Sequence, residues 1–196
     1  ANFIISKKHP SLEITLHTSF NALNLAVKEN RILNWKIQPE TNIIQGFKVQ
    51  KATTNFAGRN WIAWFANDIQ LQDGPYKFQG LPGLIVKIEE ETKTHSYELK
   101  GIANYIDTNK LKLDEERNYN KEILIDYPKY KKLFLEQRND PAKSLRELMN
   151  SAGNNFKMFG PDGNEINPSD MIRQRELRAK EDRKKNNNPL ELDLIE

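Results

Sequence analysis

Between Ser11 and about Tyr105 the apolar residues come in short runs broken by Gly, Pro, Asn and Asp, a pattern that predicts an antiparallel sheet. Leu12, Ile14 and Leu16 alternate with Glu13, Thr15 and His17, as a strand with one wet face requires. Asn21 to Val27 and Leu33 to Ile37 are shorter strand candidates. Phe47 to Thr54 alternates into Ala57-Gly58-Arg59-Asn60, whose Gly and Asn suit a tight turn, and Trp61-Ile62-Ala63-Trp64-Phe65 follows at once, so the pair reads as a hairpin. In its second strand Trp61, Ala63 and Phe65 point one way while Ile62, Trp64 and Ala66 point the other. Apolar residues on both sides predict a central strand covered on both faces. Leu84 to Glu89 and Ser96 to Ile102 form a further antiparallel pair, joined through Glu91 to Thr94.

After Asp107 the period becomes helical. Pro128 to Arg138 predicts a short helix. Asp140-Pro141 supplies a capping carboxylate and a Pro at the first helical position for a second helix, with Leu145, Leu148 and Met149 on one face and Gly153 placed to stop it. Asn154 to Asn167 reads as turn and loop centred on Gly160-Pro161-Asp162-Gly163. A last helix runs from Pro168 or Ser169 to about Lys185, nearly without an apolar stripe. The chain is therefore expected to be α+β and mainly β: a curved antiparallel sheet over residues 1–107, followed by a helical, loop-rich C-terminal appendage over residues 108–196.

Composition narrows the partners more than the fold. A chain of 196 residues can bury a core without staples, and it contains no Cys, which removes disulfides, thiolate metal sites and thiol nucleophiles together. Thirty basic against 27 acidic residues leave a net charge of +3, too small a field to single out nucleic acid. No run of residues is long and apolar enough to cross a bilayer. The start Ala1-Asn2-Phe3-Ile4-Ile5 has neither Met nor the layout of an export signal.

The chemistry-bearing residues are scattered. His9, His17 and His95 form no metal-binding frame, so no metal and no cofactor is expected, and each histidine reads as a surface or turn residue. No Ser lies in a Gly-x-Ser-x-Gly elbow. The carboxylates Asp68 and Asp73, and the run Glu89-Glu90-Glu91, read as solvated strand ends or loops; the alternative is a hydrolase using Asp68 or Asp73 as acid–base carboxylates. Mixed charges along Asp170 to Lys185 suit a self-paired, solvated helix.

Gly80-Leu81-Pro82-Gly83 lacks the Lys-Ser/Thr of a phosphate loop and is better suited to a turn: Pro82 fixes φ at one central position, and Gly83 is expected to supply positive φ at the next. Gly74-Pro75 is a second turn upstream. Trp61, Trp64, Phe65, Tyr76 and Phe78, interleaved with Arg59 and Lys77, admit two readings. They are ordinary core with two salt-bridging cations, or they wall an apolar groove with Arg59 or Lys77 at its mouth. On the groove reading the ligand-binding residues are Arg59, Trp61, Trp64, Tyr76, Lys77 and Phe78.

These residues also carry a resemblance. Gly80-Leu81-Pro82-Gly83-Leu84-Ile85, with Trp35-Lys36-Ile37, Gln50-Lys51-Ala52-Thr53-Thr54, Gly58-Arg59-x-Trp61-x-Ala63-Trp64-Phe65, Gly74-Pro75-Tyr76-Lys77-Phe78 and the close Asn186-Asn187-Asn188-Pro189-Leu190-Glu191-Leu192, resembles the GLPGLI family of the Bacteroidetes over most of its length. That family brings no established activity. The resemblance implies an exported envelope protein, periplasmic or facing the outer membrane, whose partner is an apolar ligand or an outer-membrane protein. The alternatives to a non-enzymatic binding protein of this kind are the hydrolase, or an accessory subunit that docks on an outer-membrane complex by an edge strand or the C-terminal helix. Family members usually carry an export signal and a further β-rich portion upstream, so the chain is expected to be truncated at its N-terminus. A Cys common near the Gly46 strand is replaced by a stretch that includes Val49. By analogy, successive antiparallel strands with Gly-Pro turns are similar to the half-open barrels of lipoprotein carriers.

Overall fold

A computed structural model describes residues 3–20, 23–103, 122–153, 157–159 and 163–195. The chain divides into two compact units, Ala1–Tyr127 and Pro128–Glu196. The expected boundary at residue 107 lies outside the described residues.

The first unit holds two sheets. One has the order β1 (Phe3–Lys8), β2 (Glu13–Phe20), β3 (Leu23–Lys28) and β9 (Glu122–Asp126); β1, β2 and β3 are antiparallel neighbours, whereas β9 runs parallel to β3. The other is an antiparallel meander of β4 (Lys36–Ile44), β5 (Phe47–Phe56), β6 (Arg59–Ala66), β7 (Leu84–Glu90) and β8 (Ser96–Glu98). The mainly β character with helices toward the C-terminus is as the periodicity predicts, and the strands are shared between two sheets.

Sequence explains the hairpins directly. The β5–β6 connection is the two-residue turn Ala57-Gly58, both at positive φ (54° and 79°), and Gln45-Gly46 joins β4 to β5 in the same way (51° and 83°). Two successive positive φ values give the turn whose twist matches the flanking strands. Ile14, Leu16, Leu25, Val27 and Ile125 are buried on one face of the first sheet. Trp61, Ala63 and Phe65 are buried on one face of β6, the central strand of the second. The opposite face of β6 is less covered than its apolar pattern predicts. Ile62 and Trp64 are half-buried there, and Trp64 packs on a small cluster of Val49, Ala66 and Val86.

In the second unit α1 (Tyr127–Asn139), α2 (Lys143–Ala152) and α3 (Pro168–Lys185) are joined by a short β10 (Met158–Phe159) and β11 (Glu165–Ile166) pair. Of the turn expected at Gly160 to Gly163, only Gly163 is among the described residues. Asp140 does not cap α2. The residue at the cap is Ala142, without a side-chain bond, and the Asp140 carboxylate is taken by the Arg146 guanidinium instead. Pro141 therefore precedes the helix rather than opening it. Gly153 ends α2 as expected, with φ 62° and its N–H bonded to the Met149 carbonyl. Leu145 is buried, whereas Leu148 is exposed. Asn167 caps α3, its side chain accepting from the Ser169 N–H at 2.9 Å, and no residue of that helix is buried.

Candidate functional site

The long connection from β6 to β7 carries both Gly-Pro segments, and backbone hydrogen bonds fold it onto β7. The Leu84 N–H donates to the Ile69 carbonyl (3.2 Å), the Ile85 N–H to the Asp73 carbonyl (2.9 Å), and the Gly80 N–H to the Gln72 carbonyl (3.2 Å). Lys7, from β1, clamps the loop from the other sheet. Its Nζ donates to Asp73 Oδ1 (2.7 Å), the Gly74 carbonyl (2.6 Å) and the Phe78 carbonyl (2.9 Å), using all three donors of the ammonium. Burial lowers the Lys7 pKa, opposed by the hydrogen bond and charge of Asp73.

The glycines of the motif have exchanged roles relative to the sequence-based expectation. Gly80, not Gly83, adopts positive φ, at 86°, so the expected turn with Gly83 at its positive-φ position does not form. Gly83 is needed for space: a Cβ there would stand 2.1 Å from the Ala66 carbonyl oxygen. Gly74 is confined similarly, with a Cβ meeting Ile85 Cδ1 at 2.7 Å. Both glycines let the loop backbone press against the strands it follows and precedes.

The six residues considered for a groove are placed differently from one another. Phe78 is the hub of an aromatic cluster, with ring centroids 4.6 Å from Trp61, 5.7 Å from Phe56, 6.3 Å from Tyr76 and 6.4 Å from Trp35. The Trp61 indole N–H donates to the Phe56 carbonyl (3.2 Å), and that of Trp35 to the Gln79 carbonyl (2.8 Å), so both polar edges are satisfied within the cluster. Trp64 projects to the other face of β6. Tyr76 has positive φ (54°) and meets the Phe3 ring edge-on at 5.9 Å. Arg59 is buried 3.8 Å from Glu90. Lys77 is 1% exposed and pairs with Glu29 Oε2 at 2.8 Å.

Glu29 joins two cations. Arg31 grips the same carboxylate through Nε (2.8 Å) and Nη2 (2.6 Å), while its guanidinium lies over the rings of Tyr127 (3.5 Å) and Phe56 (4.5 Å). Burial alone would raise the Glu29 pKa. The Arg31 hydrogen bonds and the Lys77 charge outweigh it and bring the carboxyl down to about 2. Lys7 escaped the sequence reading because its partners are remote in the chain, and Glu29 because its second cation, Lys77, is equally remote although Arg31 is only two residues away. The local trace was Lys77, a cation set between Tyr76 and Phe78 that reads either as salt-bridged in a core or as the mouth of a groove.

A cavity of about 370 Å³ opens beside this loop. Pro75, Leu84, Ile85, Val86, Tyr97 and Leu99 give it apolar walls, and Asp73, Glu98 and Lys100 stand among its polar lining. Burial raises the Tyr97 phenol pKa, keeping it neutral in an apolar wall. Of the predicted ligand-binding residues, none lines this cavity; of the turn residues, Gly74 and Pro75 do. Among the described residues no group of His, Cys, Asp and Glu is placed to hold a metal ion.

A family model described as a protein of unknown function (Porph_ging) matches residues 56–87. That span holds β6, the clamped loop and the start of β7, and with them all six predicted ligand-binding residues and both Gly-Pro segments. Among curated proteins none matches. Two solved structures of PNGF-II, in the P21 and C2 space groups, are similar to this chain, with TM-scores of 0.48 and 0.46 at 19% and 20% identity. Each match covers 70% of this chain and 25% of the solved one, so the chain spans about a quarter of the length of those proteins. Among the described residues no helix is long and apolar enough to cross a membrane.

Proposed function

We propose that the chain is a GLPGLI-family protein exported to the cell envelope, where its cavity binds an apolar ligand. The observation that carries this reading is the apolar cavity walled by Pro75, Leu84, Ile85, Val86, Tyr97 and Leu99. Its size suits one small hydrophobic group, an acyl-chain segment or an apolar side chain presented by an outer-membrane partner. Its polar lining, Asp73, Glu98 and Lys100, would hold the polar end of such a ligand near water. The aromatic cluster around Phe78 then acts as the scaffold behind the site. The envelope location rests on the family resemblance alone.

The acid–base alternative draws less support. The hydrogen bonds from Lys7 and the Gly74 N–H hold the Asp73 carboxyl below its ordinary range against the opposing effect of burial, which suits a structural anion and not a proton donor. Fluorescence titration with anilinonaphthalene sulfonate, and with a dansylated fatty acid, tests the binding reading. Saturable binding that Leu99→Lys removes while the melting temperature is kept is the expected result. Equal binding by the wild-type and Leu99→Lys proteins, or none by either, overturns it.

A further inference from the structure

Three side chains on the outward face of the first sheet are hydrogen-bonded in series. Ser6 Oγ lies 2.8 Å from His17 Nε2, and His17 Nδ1 lies 2.8 Å from Glu122 Oε2. An ionised carboxylate only accepts, so the bond to Glu122 fixes the proton on Nδ1 and leaves the Nε2 lone pair to accept from the Ser6 hydroxyl. This is the order of roles in a nucleophile, its general base and the residue that orients the base. The sequence hides it, because 105 residues separate His17 from Glu122.

The sheet explains how the three converge. Ser6 lies on β1, His17 on β2 and Glu122 on β9, with β3 between the last two. The β3 residue opposite His17 is Ala26, whose methyl leaves room for the imidazole and the carboxylate to meet over it. The side chains of His17 and Glu122 are 14% and 12% exposed, so their bond is sheltered, whereas Ser6 is open to solvent. Ile4 lies opposite His17 in β1, and Leu124 lies opposite Ala26 in β9. Both are exposed, at 40% and 59%, and so supply an apolar strip along the row that contains the base.

We propose that Ser6, His17 and Glu122 form a serine-hydrolase site for esters with a small apolar acyl group. The Ser6 oxygen attacks the ester carbonyl carbon while its proton passes to His17 Nε2. The tetrahedral adduct collapses, the C–O bond to the alcohol breaks, and the alcohol leaves with the proton from His17. Water then attacks the acyl-Ser6 carbonyl, giving its proton to the same nitrogen. Breakage of the acyl–Ser6 bond releases the acid, and the proton returns to Ser6. Glu122 is a positioning residue that keeps the imidazole in the required tautomer and orientation. β1 is an edge strand, and such a strand presents alternate backbone N–H groups unused by its neighbour, the donor type that an oxyanion needs.

The test uses the purified chain with p-nitrophenyl butyrate and a fluorophosphonate probe. Expected are probe attachment at Ser6 by peptide mass, and ester turnover that falls by at least ~10²-fold, the scale of general-base assistance, in Ser6→Ala and His17→Gln. Glu122→Gln should lower kcat with KM little changed, and Glu122→Asp should recover part of it, a split that a purely structural tie would not give. Ser6 is exposed, so Ser6→Ala keeps the fold and reads the chemistry alone. Equal turnover by the wild-type and Ser6→Ala proteins, or probe found only elsewhere or nowhere, overturns the proposal. Neither result bears on the apolar cavity, which shares no residue with this site.

Discussion

A Cβ on Gly83 would lie 2.1 Å from the carbonyl oxygen of Ala66, far inside any tolerable contact. Three residues away, Gly80 has open space around its Cβ position and a φ of 86°. Two glycines of one motif are therefore required for different reasons. Gly83→Ala must push β6 and the β7 entry apart, and should destabilise by about 3 kcal/mol, the upper end for overpacked core sites. Gly80→Ala meets only the backbone preference, about 1 kcal/mol. Urea denaturation of the two variants should rank them in that order, and equal losses would refute the division of roles.

Phe78 is the centre of the rings of Trp61, Phe56, Tyr76 and Trp35 and is fully buried. Phe78→Ala should cost about 3–5 kcal/mol, as large-to-small changes at aromatic core sites do. Trp64→Ala, on the half-buried face of β6, should cost clearly less. The comparison of their denaturation midpoints distinguishes a scaffold at Phe78 from a wall at Trp64.

Legibility followed locality. β2, β5, β6 and β7 alternate in hydrophobicity and pair with near neighbours, so period and turn residues sufficed to find them. β1 was missed because Phe3, Ile4 and Ile5 are consecutive and the following inward position is the charged Lys7. β4 was found only at Lys36 and Ile37, since it is an edge strand with most of its residues exposed. β9 was missed because its five residues lie in a stretch of helical period and pair in parallel with β3, across most of the first unit. The surroundings of the candidate site residues were hidden for the same reason. The aromatic residues were recognisable as a set, yet the partners that make Lys77 and Arg59 interior cations, Glu29 and Glu90, lie about thirty or more residues away. Nothing local distinguishes a buried, paired Lys from an exposed one.

Lys7 is the tie between β1 and the motif loop, and its removal takes a donor from Asp73, which keeps the Gly74 N–H, and from two loop carbonyls. Lys7→Met keeps the length of the side chain but leaves Asp73 and two carbonyls without the ammonium, and should cost about 3–5 kcal/mol, the scale for breaking one side of a buried pair. Adding Asp73→Asn removes the stranded charge and should recover part of that loss. A double-mutant cycle with zero coupling would show that the clamp is not formed.

Glu29 gives a prediction in pH. Its carboxyl titrates at about 2 in the folded chain against 4.5 when unperturbed, because the Arg31 and Lys77 interactions overcome the effect of burial. A depressed carboxyl stabilises the fold above the unfolded value, and the contribution is lost as pH falls from about 4.5 toward 2. The amount is on the order of 2–3 kcal/mol. Glu29→Gln removes the charge at every pH, so its stability should lie below wild type at pH 7, and the two curves should converge as pH falls through that window. Chemical denaturation followed by Trp fluorescence at stepped pH reads the difference directly. A constant gap between the curves from pH 7 to pH 3 would mean that Glu29 contributes through packing and not through its charge, and that Arg31 and Lys77 are held apart by other partners.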